Sequence, residues 1–231
     1  MSTKTKYGKL KKAFIVITMI IIVFSGYVMI VNRNSVNMTG RQKVLKTIYP
    51  MFVWLNKLAN KNRDAISHTP VVPPVSFYSL KAVLNDGTVL DMATLKGKKI
   101  LLVNTASACG YTPQYDQLQK LYSQYSPSLV VIGFPANDFK EQEKGTDEEI
   151  ASFCKKNFGV SFPLIQKSVV IKTQGQNSVF QWLTDPAKNG WNSQSPTWNF
   201  SKYLVNEEGI LTNYFGPAVE PTGEEIVNAI H

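Results

Sequence analysis

The sequence predicts an α/β fold, a mixed central sheet flanked by helices, preceded by an N-terminal transmembrane helix. Three observations carry this. From Val75 onward, short apolar runs alternate with segments of helical periodicity and close on two successive strand-like runs, the order expected when parallel crossovers give way to a hairpin. Ala13 to Val31 is a run of nineteen uncharged residues, about the length that crosses a bilayer. The charge is also unevenly divided: through Arg63 there are twelve Lys and Arg and no Asp or Glu, whereas from Asp64 onward thirteen bases face sixteen acids and leave −3. The formal charge of +9 therefore belongs to the N-terminal region, and nucleic-acid binding by the folded domain is not expected.

The chain divides into a basic tail (1–12), an anchor (13–31), an amphipathic and proline-rich linker (32–74) and a folded domain (75–231). Five lysines precede the apolar run, which argues for a cytoplasmic N-terminus and an extracytoplasmic domain on a single-pass membrane protein, with the bilayer contacted through residues 13–31. Cleavage after Val23-Phe-Ser25 is the competing reading, disfavoured because the apolar run continues to Val31. A start at Met38 would instead give a cytoplasmic protein. Within the linker, Val44, Leu45, Ile48, Met51, Phe52, Leu55 and Leu58 share a basic segment with Trp54, suited either to a membrane interface or to packing on the domain, with Pro50 placed to kink or break it. Thr69-Pro-Val-Val-Pro-Pro-Val75 reads as a stiff spacer, and the fold is expected to start there.

In the domain the order is a hairpin around Asn85-Asp86-Gly87, a buried strand through Ile100-Leu-Leu-Val103 to Ala106, and a helix from Pro113 with Tyr115, Leu118, Leu121 and Tyr122 on one face. A strand at Leu129 to Phe134 follows. A helix then starts at Thr146, whose Thr-x-x-Glu pattern marks a capping box. A strand near Phe162 to Val170, a helix at Asn177 to Leu183, strands at Phe200 to Val205 and Ile210 to Phe215, and a last helix complete the domain.

Cys109 lies between the buried strand and the helix from Pro113, where unpaired helix N–H groups and the helix dipole favour an anion and are expected to lower a thiol pKa. Its bland reading is an inert buried thiol. Several other chemistries are poorly supported. The only histidines are His68 and the terminal His231, which disfavours a Cys–His hydrolase, a zinc site or histidine-ligated haem. Thr112 stands where a Cys-x-x-Cys dithiol would need its second cysteine, and no phosphate loop or dinucleotide fingerprint occurs, so no cofactor is expected.

Asn104-Thr-Ala-Ser-Ala-Cys-Gly-Tyr-Thr-Pro-Gln-Tyr115 resembles the active-site segment of the glutathione peroxidase family, with cysteine where some members carry selenocysteine. The resemblance continues through Gly133-Phe-Pro-Ala-Asn-Asp-Phe139, Glu141-Gln-Glu143, Gly159-Val-Ser-Phe-Pro163, Trp198-Asn-Phe-Ser-Lys-Tyr-Leu204 and Phe215-Gly-Pro217. It implies a thioredoxin fold and a peroxidatic Cys109 beside Gln142, Trp198 and Asn199. Those three are neutral donors suited to charge moving from sulfur to a departing oxygen. On local pattern alone each reads as structural or solvated. Cys154 shares a helical face with Ile150, Phe153 and Phe158 and by pattern is a core residue; the family motif matched by Ser152-Phe-Cys154 implies a resolving cysteine instead, with Ala136 at the position where several members carry another cysteine.

The resemblance thus implies a thiol peroxidase acting on hydrogen peroxide or organic hydroperoxides in the response to oxidative stress, and a monomer is expected. All three arginines (Arg33, Arg41 and Arg63) precede the domain, so a thioredoxin-like dithiol protein is favoured over glutathione, whose two carboxylates suit arginine forks. The alternative is a redox sensor that signals through a Cys109–Cys154 disulfide without turnover.

Overall fold

The computed structural model describes residues 3–59 and 64–231 and, at the amino end, side chains from Leu10 onward. Residues 60–63, the end of the amphipathic linker, and residues 1–2 of the basic tail lie outside the described residues. Helix α1 (Thr3–Val31) contains the apolar stretch Leu10–Val31, with mean hydropathy 2.8 and none of it buried. Such a helix has the length and composition of a membrane span, and a signal sequence has the same features. Helix α2 (Gly40–Ala59) follows and runs through Pro50 without breaking. An interior proline costs about 3 kcal/mol. Packing offsets that cost: Tyr49 is buried in the domain core, and Phe52 and Val53 pack against it.

The main sheet has five strands in the order β1-β7-β6-β4-β5: β1 (Ala65–Ser67), β7 (Leu211–Phe215), β6 (Lys202–Val205), β4 (Lys99–Thr105) and β5 (Leu129–Pro135). Only β4 and β5 run parallel; the other pairings are antiparallel. The sheet begins before Val75, because Ala65–Ser67 adds as an edge strand in register with Asn213–Phe215. The expected linker of 32–74 therefore holds one strand and one docked helix. Strands β2 (Lys81–Val83) and β3 (Val89–Asp91) form the expected hairpin as a separate two-stranded sheet.

Alternation along β4 sorts its side chains into two cores. Leu101 and Val103 face a cluster built with α3 (Gln114–Tyr125), α4 (Asp147–Phe158), α7 (Glu224–Ile230) and part of α2. Ile100 and Leu102 face the opposite cluster with Phe77, Met92 and α5 (Ser178–Leu183); the short α6 (Pro186–Asn189) follows α5. Both faces of β4 are thus covered, as its continuous apolar run requires.

The strand expected near Phe162 to Val170 is reduced to isolated bridges at Leu164, Ile165 and Val169. Pro163 has no N–H to donate, so pairing is confined to a close approach at Gly133, whose N–H donates to Pro163 O at 2.9 Å and whose carbonyl accepts from Ile165 N at 2.8 Å. A Cβ at Gly133 would stand 2.6 Å from Leu164, so only glycine admits this contact.

Candidate active site

The carboxyl end of β4 is where the chain gathers its polar side chains. Asn104 makes four hydrogen bonds with the turn at 198–201. Its carbonyl accepts from Phe200 N at 2.6 Å and its Oδ1 from Ser201 N at 3.0 Å, its Nδ2 donates to Trp198 O at 3.1 Å, and its N–H donates to Ser201 O at 3.3 Å. Phe200 is held at φ +68, a left-handed conformation unusual for a bulky residue and sustained by these bonds. The result is a fixed position for Trp198 and Asn199 beside the loop that carries Cys109.

That loop is tied from inside. Thr112 Oγ1 accepts from Cys109 N at 3.0 Å and donates to Ala106 O at 2.8 Å, while Tyr111 N donates to Cys109 Sγ at 3.4 Å. It is also tied to the loop before α4. Ala108 N donates to Gln142 O at 3.0 Å, and Ser107 donates through N and Oγ to Glu143 Oε2 at 2.8 and 3.0 Å. Lys140 and Glu141 both adopt positive φ, +53 and +51, so the chain reverses just before Gln142. Gln142 Oε1 there accepts from Asn199 Nδ2 at 3.0 Å. Cys109, Gln142, Trp198 and Asn199 are therefore brought together, all but Trp198 buried.

Cys109 is 1% exposed, and burial pushes its thiol above the ordinary value. Hydrogen bonds from Tyr111 N, the Trp198 and Asn199 side chains and Gly110 N pull it back down. The lowered thiol expected from the neighbouring helix end is not what the geometry yields. Desolvation outweighs the donors, in part because α2 covers the loop: the Phe52 and Tyr111 rings meet tilted at 58° with centroids 5.1 Å apart, and Gln42 Nε2 donates to Ser107 O at 2.8 Å.

Cys154 is fully buried on α4 and lies in the same apolar cluster as Cys109. Burial pushes its thiol up to about 12, with Tyr115 pulling it down and the Glu143 charge adding to the rise. Neither cysteine is in a disulfide. Helix α4 is fastened at both ends, by the reciprocal Thr146–Glu149 capping box and by Gly159 in the left-handed conformation, whose N–H reaches the carbonyls of Cys154 and Lys155.

An open groove of about 820 Å³ borders the site, with Ser107, Ala108 and Gln142 on one side, Phe153 and Lys156 of α4 on another, and Arg41 from α2. Position in sequence thus misjudged Arg41, which precedes the domain but lines its entrance. Asn104, Thr112 and Glu143 were visible only as members of motifs; their roles as clamps appear once β4, the 198–201 turn and the loop before α4 meet.

Residues 77–184 match the family model described as glutathione peroxidase. The chain is 43% identical over 148 residues to the glutathione peroxidase-like peroxiredoxin gpx1 of Schizosaccharomyces pombe, covering 63% of this chain and 91% of that protein. It is 41% identical over 150 residues to a glutathione peroxidase of Lactococcus lactis subsp. cremoris, covering 64% of this chain and 93% of that one.

The chain belongs to the glutathione peroxidase family.

Like other glutathione peroxidases it has a thioredoxin-like fold. The apo crystal structure of Trgpx superposes with a TM-score of 0.52 at 31% identity, covering 68% of this chain and 95% of that one. The crystal structure of T. cruzi GPX1 gives 0.51 at 25% identity, with coverages of 67% and 94%. A DsbF homologue from Corynebacterium diphtheriae, at 16% identity and a TM-score of 0.50, shares the fold alone. Membership makes this protein a peroxidase with a peroxide substrate and a thiol reductant. Helices α1 and α2 both precede the residues matched to the glutathione peroxidase family model.

Proposed function

We propose that this glutathione peroxidase is a membrane-tethered, cysteine-based enzyme in which Cys109 is the peroxidatic residue and Cys154 resolves it. The observation that carries the reading is the polar cluster around one thiol: Tyr111 N donates to Cys109 Sγ, the Trp198 and Asn199 side chains lie where they lower its pKa, and Asn199 is itself held by Gln142. In the oxidative step the Cys109 sulfur attacks one peroxide oxygen, the O–O bond breaks, and the thiol proton ends on the departing oxygen. The products are Cys109 sulfenic acid and water or an alcohol. Sulfur loses two electrons and the peroxide gains them. Negative charge passes from sulfur to the leaving oxygen, where the neutral amide and indole N–H groups stabilise it without titrating.

In the second step the Cys154 thiol attacks the sulfenic acid sulfur and releases water, forming a Cys109–Cys154 disulfide, which a thioredoxin-like dithiol protein then reduces by exchange. Both thiols start buried, and α4 is capped at each end. The disulfide therefore requires local opening of α4 and the Cys109 loop, at less cost than global unfolding. Small peroxides enter along the groove past Ala108 and Gln142. Helix α1 serves as the anchor, with the five lysines of its amino-terminal turns on the cytoplasmic side and the enzyme on the other.

Replacing Cys109 by Ser tests the reading. A hydroxyl is hardly ionised at neutral pH, so stopped-flow peroxide consumption with thioredoxin and its reductase should fall to background. Substantial residual turnover would sink the assignment.

A further inference from the structure

Helix α2 is apolar on two opposite faces. Gln42, Leu45, Lys46, Tyr49, Phe52 and Val53 recur at helical spacing and face the catalytic domain, where Tyr49 is buried and Phe52 covers Gly110 and Tyr111. On the other side, Val44, Met51, Trp54, Leu55 and Leu58 also recur at three- and four-residue spacing, and they are exposed, Trp54 by 58% and Leu58 by 67%. One helix face on the domain is sufficient to explain its inner residues. Nothing in the domain accounts for the outer strip.

Three observations say what covers it. Helix α2 carries no acidic residue, and Arg41, Lys43 and Lys57 lie outside the set that faces the domain, so its charge complements an anionic surface. The strip joins a tryptophan to aliphatic side chains, the composition of helices that lie in a bilayer interface. Most directly, the apolar helix α1 leaves α2 from that outer side. Asn32, just past the end of α1, donates through Nδ2 to Val28 O of α1 at 2.8 Å, and to Lys43 O at 3.2 Å and Thr47 Oγ1 at 2.9 Å of α2. Thr47 stands on the outer face between Val44 and Met51. Where α1 enters a bilayer, the membrane surface therefore lies close to the Val44 end of this strip, and the axis of α2 carries the strip on to Leu58, about 16 Å beyond Thr47.

We propose that the outer face of α2 lies on an anionic bilayer surface, so that the helix is a plate between the membrane and the Cys109 loop. Its inner face grips that loop through Gln42 and Phe52. The peroxidatic site then sits one helix thickness from the lipid headgroups, with the Arg41 side of its groove toward them. The proposal rests on the reading of α1 as an anchor, and the experiment separates the two.

Full-length protein is reconstituted into phosphatidylcholine vesicles with and without phosphatidylglycerol, and tryptophan fluorescence is quenched with lipids carrying a nitroxide at a shallow acyl position. A quenched component should appear, strongest with phosphatidylglycerol, and Trp54→Phe should remove it, because the other tryptophans lie within the domain. Leu58→Glu should also remove it while hydrogen peroxide turnover persists, since Leu58 does not contact the Cys109 loop. If the protein resists alkaline extraction yet quenching is unaffected by Trp54→Phe, the strip faces water and the proposal fails. It also fails if Trp54 is unquenched by lipid, is shielded from acrylamide, and the protein runs as a dimer, which assigns the strip to a second copy. If alkali releases the protein, α1 is no span; salt-reversible binding of the released chain to phosphatidylglycerol vesicles, lost in Leu58→Glu, then still supports the face, and no binding overturns it.

Discussion

Cys109 and Cys154 lie in the same apolar cluster, both essentially without solvent contact and both with thiols raised by burial. Their polar surroundings differ. Cys109 sits in a loop whose backbone and neighbours aim four donors at its sulfur, so the charged form has partners waiting. Cys154 sits on a helix face with Tyr115 as its one helpful neighbour and the Glu143 carboxylate opposing ionisation. Burial alone thus assigns neither role. What distinguishes a thiol prepared for attack from one held in reserve is whether the desolvation cost is met by prearranged N–H groups or left to a conformational change.

The strongest break in this comparison is Cys154→Ser. The Cys109 loop is built without Cys154, so the variant should consume one equivalent of peroxide at the normal rate and accumulate sulfenic acid, trappable with dimedone. Recycling by a thioredoxin-like donor should be lost. Sustained turnover in that variant would make Cys154 a packing residue and place reduction directly at Cys109.

Next in size are the donors. Asn199→Ala, Gln142→Ala and Trp198→Phe each remove an N–H from the region where charge develops or from its support, and losing one such donor typically costs about a hundredfold in rate. The second-order rate of Cys109 oxidation should fall accordingly, with Asn199→Ala most affected because Asn199 lowers the Cys109 thiol and is also the partner of Gln142. Thermal unfolding midpoints checked in parallel separate chemistry from folding; unchanged rates in all three would reduce the cluster to scaffolding.

The same contrast explains what the sequence made legible. Local signals such as the 85–87 turn, the Thr146 capping box and the apolar run Ile100-Leu-Leu-Val103 predicted elements that formed, because each depends on neighbours within a few residues. Pairings set by distant partners were missed. Ala65–Ser67 becomes a strand only because β7 offers an open edge, and 162–170 fails to become one because Pro163 and Gly133 limit the contact to a few bonds. Around Cys109, helix position suggested a lowered thiol, but burial, to which the distant α2 contributes through Phe52 and Gln42, outweighs it. Arg41 reaches the groove by the same route. Glu143 was visible only within the Glu141-Gln-Glu143 motif, with nothing in the sequence to mark it as buried, and it is 2% exposed.

Glu143 gives the smallest and sharpest test, because it touches both cysteine environments: its Oε2 holds Ser107 of the Cys109 loop and its charge bears on Cys154. Burial raises its carboxyl from 4.5 to about 7, with the two Ser107 hydrogen bonds pulling it down. Since the folded-state value lies above the unfolded one, the folded protein binds more protons than the unfolded chain between those two values. Stability from this group therefore falls as pH rises from about 4.5 to about 7 and stays lowered above that. The full span corresponds to on the order of 3 kcal/mol. Glu143→Gln keeps an oxygen to accept from Ser107 and removes the charge. Denaturant unfolding should show the variant gaining on the native protein between pH 5 and pH 8, and the Cys154 thiol should titrate lower in the variant. Parallel stability curves across that range would mean that the carboxylate is solvated in solution and that Glu143 is not the electrostatic link between the two cysteines.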